Sequence, residues 1–127
     1  MPIGKKTWLA EAETVLSSLV LGWRPTGMEL RGSPTIDKWS IVEAPDGTIR
    51  LLGKVTGHPN PDVGRGPWTM TSILLWIAAD SNWARTASRF YFLGQPRFQA
   101  QLSQARRANI VLRAGAWLAD EQDYPEN

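Results

Sequence analysis

The stretch from Pro67 to Gly94, PWTMTSILLWIAADSNWARTASRFYFLG, decides how this chain is read. Trp68 to Ile77 is an apolar run, and Asp80-Ser81-Asn82 is a polar turn. From Trp83 to Leu93 arginines and hydroxyls alternate with aromatics. Aromatic and β-branched residues on both sides of such a turn predict a β-hairpin in the middle of the protein. Alternation puts Arg85, Ala87, Arg89 and Tyr91 on one face of the return strand. Thr86, Ser88, Phe90 and Phe92 take the other. With the turn centred on Ser81, Leu75 lies opposite Ala87, Ile73 opposite Arg89, Ser72 opposite Phe90 and Thr71 opposite Tyr91. Arg85 and Arg89 then stand about 13 Å apart, enough to bracket two phosphates or two carboxylates of a partner. Ile73, Leu74, Leu75 and Ile77 read as the core strand of the sheet.

A second hairpin precedes this one, over residues 37 to 56. Trp39, Ile41 and Glu43 alternate with Lys38, Ser40 and Val42. Ala44-Pro45-Asp46-Gly47 is a turn, since proline fixes φ and glycine accepts a positive one. The return strand, Thr48 to Thr56, carries Ile49, Leu51, Leu52 and Val55. Gly53 within it marks a bulge or a close backbone approach. Between the hairpins, residues 57 to 67 (GHPNPDVGRGP) are too rich in glycine and proline for a regular element. Residues 24 to 36 read as a loop with a short edge strand at Met28–Leu30.

Helices flank the sheet. Over residues 7 to 21, Thr7 is an N-cap and Leu9, Ala12, Leu16, Leu19 and Trp23 recur at helical spacing. Gly22 stands where a C′ glycine belongs, and Pro25 forbids continuation. Residues 96 to 119 form the second helix, opened by Pro96. Phe98, Leu102, Ala105, Leu112 and Ala116 make one stripe on it. Ile110, Ala114, Trp117 and Leu118 make another, with a kink near Asn109. Arg97, Arg106, Arg107 and Arg113 make its exposed arc basic. The expected class is α+β: a four- or five-stranded antiparallel sheet with an N-terminal and a C-terminal helix packed on it. A small, partly closed barrel is the alternative. Residues 1–127 form one domain, ordered over 5–120, with an acidic tail at 120–127.

Composition narrows the function classes. Hydrophobic residues at 43% and charged residues at 20% fit a globular domain rather than a disordered one. The absence of cysteine removes disulfides, thiolate metal sites and cysteine nucleophiles, and fits the cytoplasm. No apolar run approaches the ~20 residues of a membrane span. A net charge of +2 permits nucleic acid without pointing to it. Seven tryptophans in so small a chain are expected to lie mostly in the core.

His58 is the one histidine. It sits beside Pro59 in the glycine-proline loop, near Asp62, and no G-x-S-x-G elbow presents a hydroxyl to it. His58, Asp62 and Asp37 are loosely spaced as metal ligands. Gly64-Arg65-Gly66 lacks the lysine and hydroxyl of a phosphate-binding loop. No catalytic residue, metal or cofactor is therefore expected, and the chain is read as a non-enzyme. Arginine and tryptophan favour a protein partner. The alternative is nucleic acid, held by Arg85, Arg89, Arg97, Arg106, Arg107 and Arg113 with Trp68, Trp83 and Tyr91 on a sheet face. The binding residues expected are Arg85, Arg89, Tyr91, Trp83, His58, Arg65, Arg106 and Arg107.

Gly57-His58-Pro59, Thr71-Ser72 and WARTASRFYFLG (Trp83 to Gly94) carry a resemblance. With Gly32-Ser33-Pro34 and the strand tryptophan Trp39, they make residues 27 to 96 similar to a family of small bacterial proteins of unknown function, found chiefly in proteobacteria. The resemblance supplies no activity and no catalytic residue. It implies a bacterial protein of phage or mobile-element origin. By that context alone, it implies binding and inhibition of a host protein complex.

Overall fold

The computed structural model describes residues 3–98 and 102–123, with side chains for 7–98 and 102–120. The chain runs α1 (Ile3–Val20), α2 (Gly27–Leu30), β1 (Thr35–Glu43), β2 (Ile49–Thr56), β3 (Thr69–Ile77), β4 (Trp83–Thr86), β5 (Phe90–Leu93) and α3 (Gln104–Asp123). The class is α+β, with an N-terminal helix, a five-stranded sheet and a C-terminal helix packed on it. Consecutive strands pair antiparallel. The sheet then closes into a barrel, as β5 meets β1 in parallel through Thr35↔Phe92 and Ile36↔Leu93.

The first hairpin follows its sequence closely. Ala44 N–H donates to Thr48 O at 2.8 Å, Gly47 takes φ +85°, and Asp46 accepts from the Thr48 hydroxyl at 2.6 Å. These Thr48 bonds hold the Asp46 carboxyl below its ordinary pKa. Gly53 is a close approach. A Cβ there would stand 2.6 Å from Ile36 Cγ1 and 2.8 Å from the Asp37 carbonyl. The matching irregularity lies across from it, in β1, where Lys38 has φ +50° and the register slips between Asp37 and Ser40.

The central stretch departs from expectation. Trp83 to Leu93 is two strands, not one. Thr86 N–H donates to Arg89 O at 2.9 Å, and the Thr86 hydroxyl receives the N–H groups of Ser88 and Arg89 at 3.3 Å each. This hydroxyl-capped turn folds β5 back onto β4. The pairs are therefore Leu74↔Thr86, Trp76↔Arg85 and Ile77↔Ala84. Arg85 now lies in β4 and Arg89 in the turn, so the two do not share a strand face.

Three further expectations change. Met28–Leu30 belongs to α2, whose capping box pairs Thr26 with Glu29, rather than to an edge strand. The first helix begins at Ile3, so Thr7 lies inside it and is not its N-cap. The last helix starts at Gln104, not Pro96, and runs to Asp123 as one element through Asn109. Pro96 instead bridges Trp39 beside β1. The expected tail thus narrows, and residues 124–127 lie outside the described residues, as do 99–101 of the expected helix.

Two cores result. Ile36, Trp39, Leu51, Val55, Leu74, Ile77, Tyr91 and Leu93 fill the barrel with Ile110. Outside it, Ile73 and Leu75 of β3 meet Leu9, Ala12 and Leu16 of α1 and Ala114 and Leu118 of α3. The Ile110/Ala114/Leu118 stripe of α3 is the buried one. Leu112 of the other stripe is 72% exposed. The tryptophans also reverse expectation, because Trp39 alone of the seven is buried. Its indole N–H donates to Gly94 O at 2.9 Å, which satisfies the one polar atom such burial leaves.

Candidate functional site

Six tryptophans at or near the surface direct attention to the outside of the barrel. α1 and α3 pack over β3. Trp83, Phe90 and Phe92, on the neighbouring β4–β5 hairpin, stay partly exposed, with Phe92 at 37%. A fourth ring arrives from the end of α1. Gly22 there takes φ +105°, Gly22 N–H donates to Leu19 O at 3.1 Å, and Trp23 N–H donates to Ser18 O at 2.9 Å. This Schellman closure turns the chain so that Trp23 lands on the sheet. Trp23 and Phe90 have ring centroids 6.4 Å apart, and Phe90 meets Trp83 edge-on at 5.7 Å. Arg24 lies 4.9 Å over Trp76.

Arg85 lies under this row. Its guanidinium is 4.9 Å from the Phe90 ring centre, its Nε donates to Thr86 O at 2.8 Å, and the residue is 5% exposed. Glu11 Oε1 is 3.9 Å from Nη2, too long for a hydrogen bond, and that nitrogen has no hydrogen-bond partner. Burial lowers the Arg85 pKa, and the Glu11 charge opposes that shift. A charged nitrogen left unbonded in a protein interior is a standing cost.

His58, Arg89 and Tyr91 meet at one end of the barrel. The His58 and Tyr91 rings are 6.4 Å apart. Burial lowers the His58 pKa, as does the charge of Arg89, and burial raises that of Tyr91. His58 Nδ1 accepts Asn60 N–H at 2.9 Å, so it shapes its own loop. Asp62, its sequence neighbour, is instead 3.6 Å from Arg65 Nε.

The expected binding residues therefore fall in separate places. Trp83 and Arg85 join Trp23 and Phe90. His58, Arg89 and Tyr91 form a second group, with Tyr91 buried in the barrel. Arg65 is exposed in the loop beside Asp62. Arg107 is structural: its guanidinium donates to the carbonyls of Ile77 at 2.9 Å, Ala78 at 2.6 Å and Ala79 at 3.3 Å. Arg113 pairs with Glu43 at 2.9 Å. Arg106 lines a cleft with Trp39, Pro96 and Phe98. Of the basic arc expected on the last helix, Arg107 and Arg113 are thus spent on the fold, and Arg97 lies before the helix. Sequence reading missed Trp23, Phe90 and Phe92 as site residues. The signal was Gly22-Trp23-Arg24-Pro25, where a helix-ending glycine hands a tryptophan to the sheet.

No helix among the described residues is long and apolar enough to cross a membrane, and no three of their acidic or histidine side chains cluster as metal ligands. By fold and surface the chain is a small α+β barrel protein with a half-exposed aromatic row. It belongs to the family of unknown function DUF6634, whose model matches residues 2–117. No curated protein and no solved structure matches it.

Proposed function

We propose that this protein is a non-enzymatic interaction module that grips a protein partner with the outer face of β4–β5. The observation that carries this is the contiguous Trp23–Phe90–Trp83 row, partly exposed and flanked by Phe92. Aromatic rings with arginine beneath them are the side chains that dominate protein interfaces. Arg85 supports the same reading from beneath, its guanidinium 4.9 Å from the Phe90 ring centre at the middle of the row. The chain acts in the cytoplasm, a placement its lack of cysteine favours. The finer form, a phage- or mobile-element-borne binder that inhibits a host protein complex, rests on the sequence resemblance.

The test is affinity capture from lysate of the source cells with tagged wild type and with Trp23→Ala/Phe92→Ser. Wild type recovers a stoichiometric partner, and the folded double variant loses it. Equal recovery by both, or none by wild type, removes the proposal.

A further inference from the structure

A different sector of the barrel carries a second surface, built from cations and rings. Trp68, just before β3, is 38% exposed. Lys54 Nζ lies 5.6 Å from its ring centre and the Arg97 guanidinium 4.8 Å from it. Arg97 also stands 5.4 Å from the ring of Phe98, which is 65% exposed. Phe98 in turn walls a cleft of about 200 Å³ with Trp39, Pro96, Leu102 and Arg106.

The cations here are not engaged by carboxylates of the chain. Arg50, Arg65, Arg85 and Arg113 each have a carboxylate within 4.0 Å. Among the described residues Lys54, Arg97 and Arg106 have none. Asp37, across from Lys54 in β1, accepts the Gln95 N–H at 2.8 Å. Three positive charges without a carboxylate partner, beside two exposed rings, fit a ligand that is itself anionic and planar by turns.

The backbone leading into Arg97 and Phe98 is held in place. Gly94 N–H donates to Ile36 O and Arg97 N–H to Trp39 O, both at 2.8 Å. Little backbone ordering is left to be lost there on binding.

We infer that this strip binds single-stranded nucleic acid, with bases on Trp68 and Phe98 and phosphates on Lys54, Arg97 and Arg106. The cleft is smaller than the 300–1,000 Å³ or so of a drug-sized site, so it takes one ring system and leaves the rest of the strand on the open strip. Stacking needs unpaired base faces, which a duplex hides. The strip shares no residue with the proposed protein interface, so the two stand or fall separately.

Fluorescence anisotropy with labelled oligo(dT), oligo(U) and a duplex tests it, between about 50 and about 200 mM salt. Three phosphate contacts predict a log–log salt slope of about −2 for single strands. Trp68→Ala and Phe98→Ala each weaken binding at least about fivefold, the scale of one lost base stack. Lys54→Gln and Arg97→Gln, surface changes that leave the core untouched, each flatten the slope by about 0.7. Trp23→Ala leaves binding unchanged. A preference for oligo(U) over oligo(dT), or the reverse, separates RNA from DNA as the source. No binding at low salt overturns the inference. So does duplex binding equal to single-strand binding, or loss with Trp23→Ala but not with Trp68→Ala.

Discussion

The outer face of β3 and the outer face of β4–β5 are neighbours on one barrel with opposite fates. β3 presents Ile73 and Leu75, and two helices cover them almost completely. β4–β5 presents Trp83, Phe90 and Phe92, and neither long helix closes over them. The difference follows from side-chain chemistry. Aliphatic groups have no polar atom to keep wet, so permanent burial suits them. Tryptophan and arginine have apolar bodies and polar tips, which suits a surface that is sometimes wet and sometimes covered. The arginines repeat the contrast. Arg107 meets three backbone carbonyls, whereas Arg85 is buried with a nitrogen unmet.

The largest effect is expected on the helix-covered face. Leu75 is 0% exposed, and Leu75→Ala should lower unfolding free energy by about 3 kcal/mol in urea titration. Partner capture by the folded fraction should stay intact. Next comes Arg107→Met, which strands carbonyls at the β3–β4 turn. Loss of charge-assisted bonds there should cost about 2 kcal/mol. Arg85→Met should act in the other direction. It keeps the packing against Phe90 and removes the buried charge, while Glu11, 67% exposed, returns to water. Stability should then rise by about 1 kcal/mol. A loss of stability matching that of Arg107→Met would make both arginines structural and erase the contrast.

Legibility in the sequence divided along similar lines. Periodicity exposed the apolar stripe of the first helix, and turn chemistry placed the first hairpin to within a residue or two. It also marked Ile73, Leu74, Leu75 and Ile77 as core. What stayed hidden depended on contacts distant in sequence. The Thr86-Ala87-Ser88-Arg89 turn has no glycine or proline, so only its hydroxyls and the excessive length of an unbroken Trp83–Leu93 strand betrayed it. Missing that turn put Arg85 and Arg89 on one face and hid the row that Phe90 makes with Trp23. Composition misled for tryptophan, because apolar area alone does not distinguish a core from a surface that binds. Barrel closure rests on a β1–β5 pairing, Thr35↔Phe92 and Ile36↔Leu93, between residues far apart in the chain, and no local sequence pattern marks it.

The smallest effect concerns His58, at the barrel end beside Tyr91. Burial lowers its pKa below the ordinary 6.5, and the charge of Arg89 pushes the same way. Its Nδ1 needs a free lone pair to accept the Asn60 N–H, which protonation takes away. The unfolded chain therefore binds this proton more readily than the folded one. Stability from this group is fully present above pH 6.5 and declines as pH falls from 6.5 through the lowered folded value. An NMR titration of the imidazole should show a midpoint below 6.5 in wild type. Arg89→Gln removes one of the depressing causes, so the midpoint should move upward while staying below that of a free histidine. An unmoved midpoint would mean that Arg89 turns away from the loop in solution. Arg89 would then be free to extend the aromatic face rather than brace the barrel end.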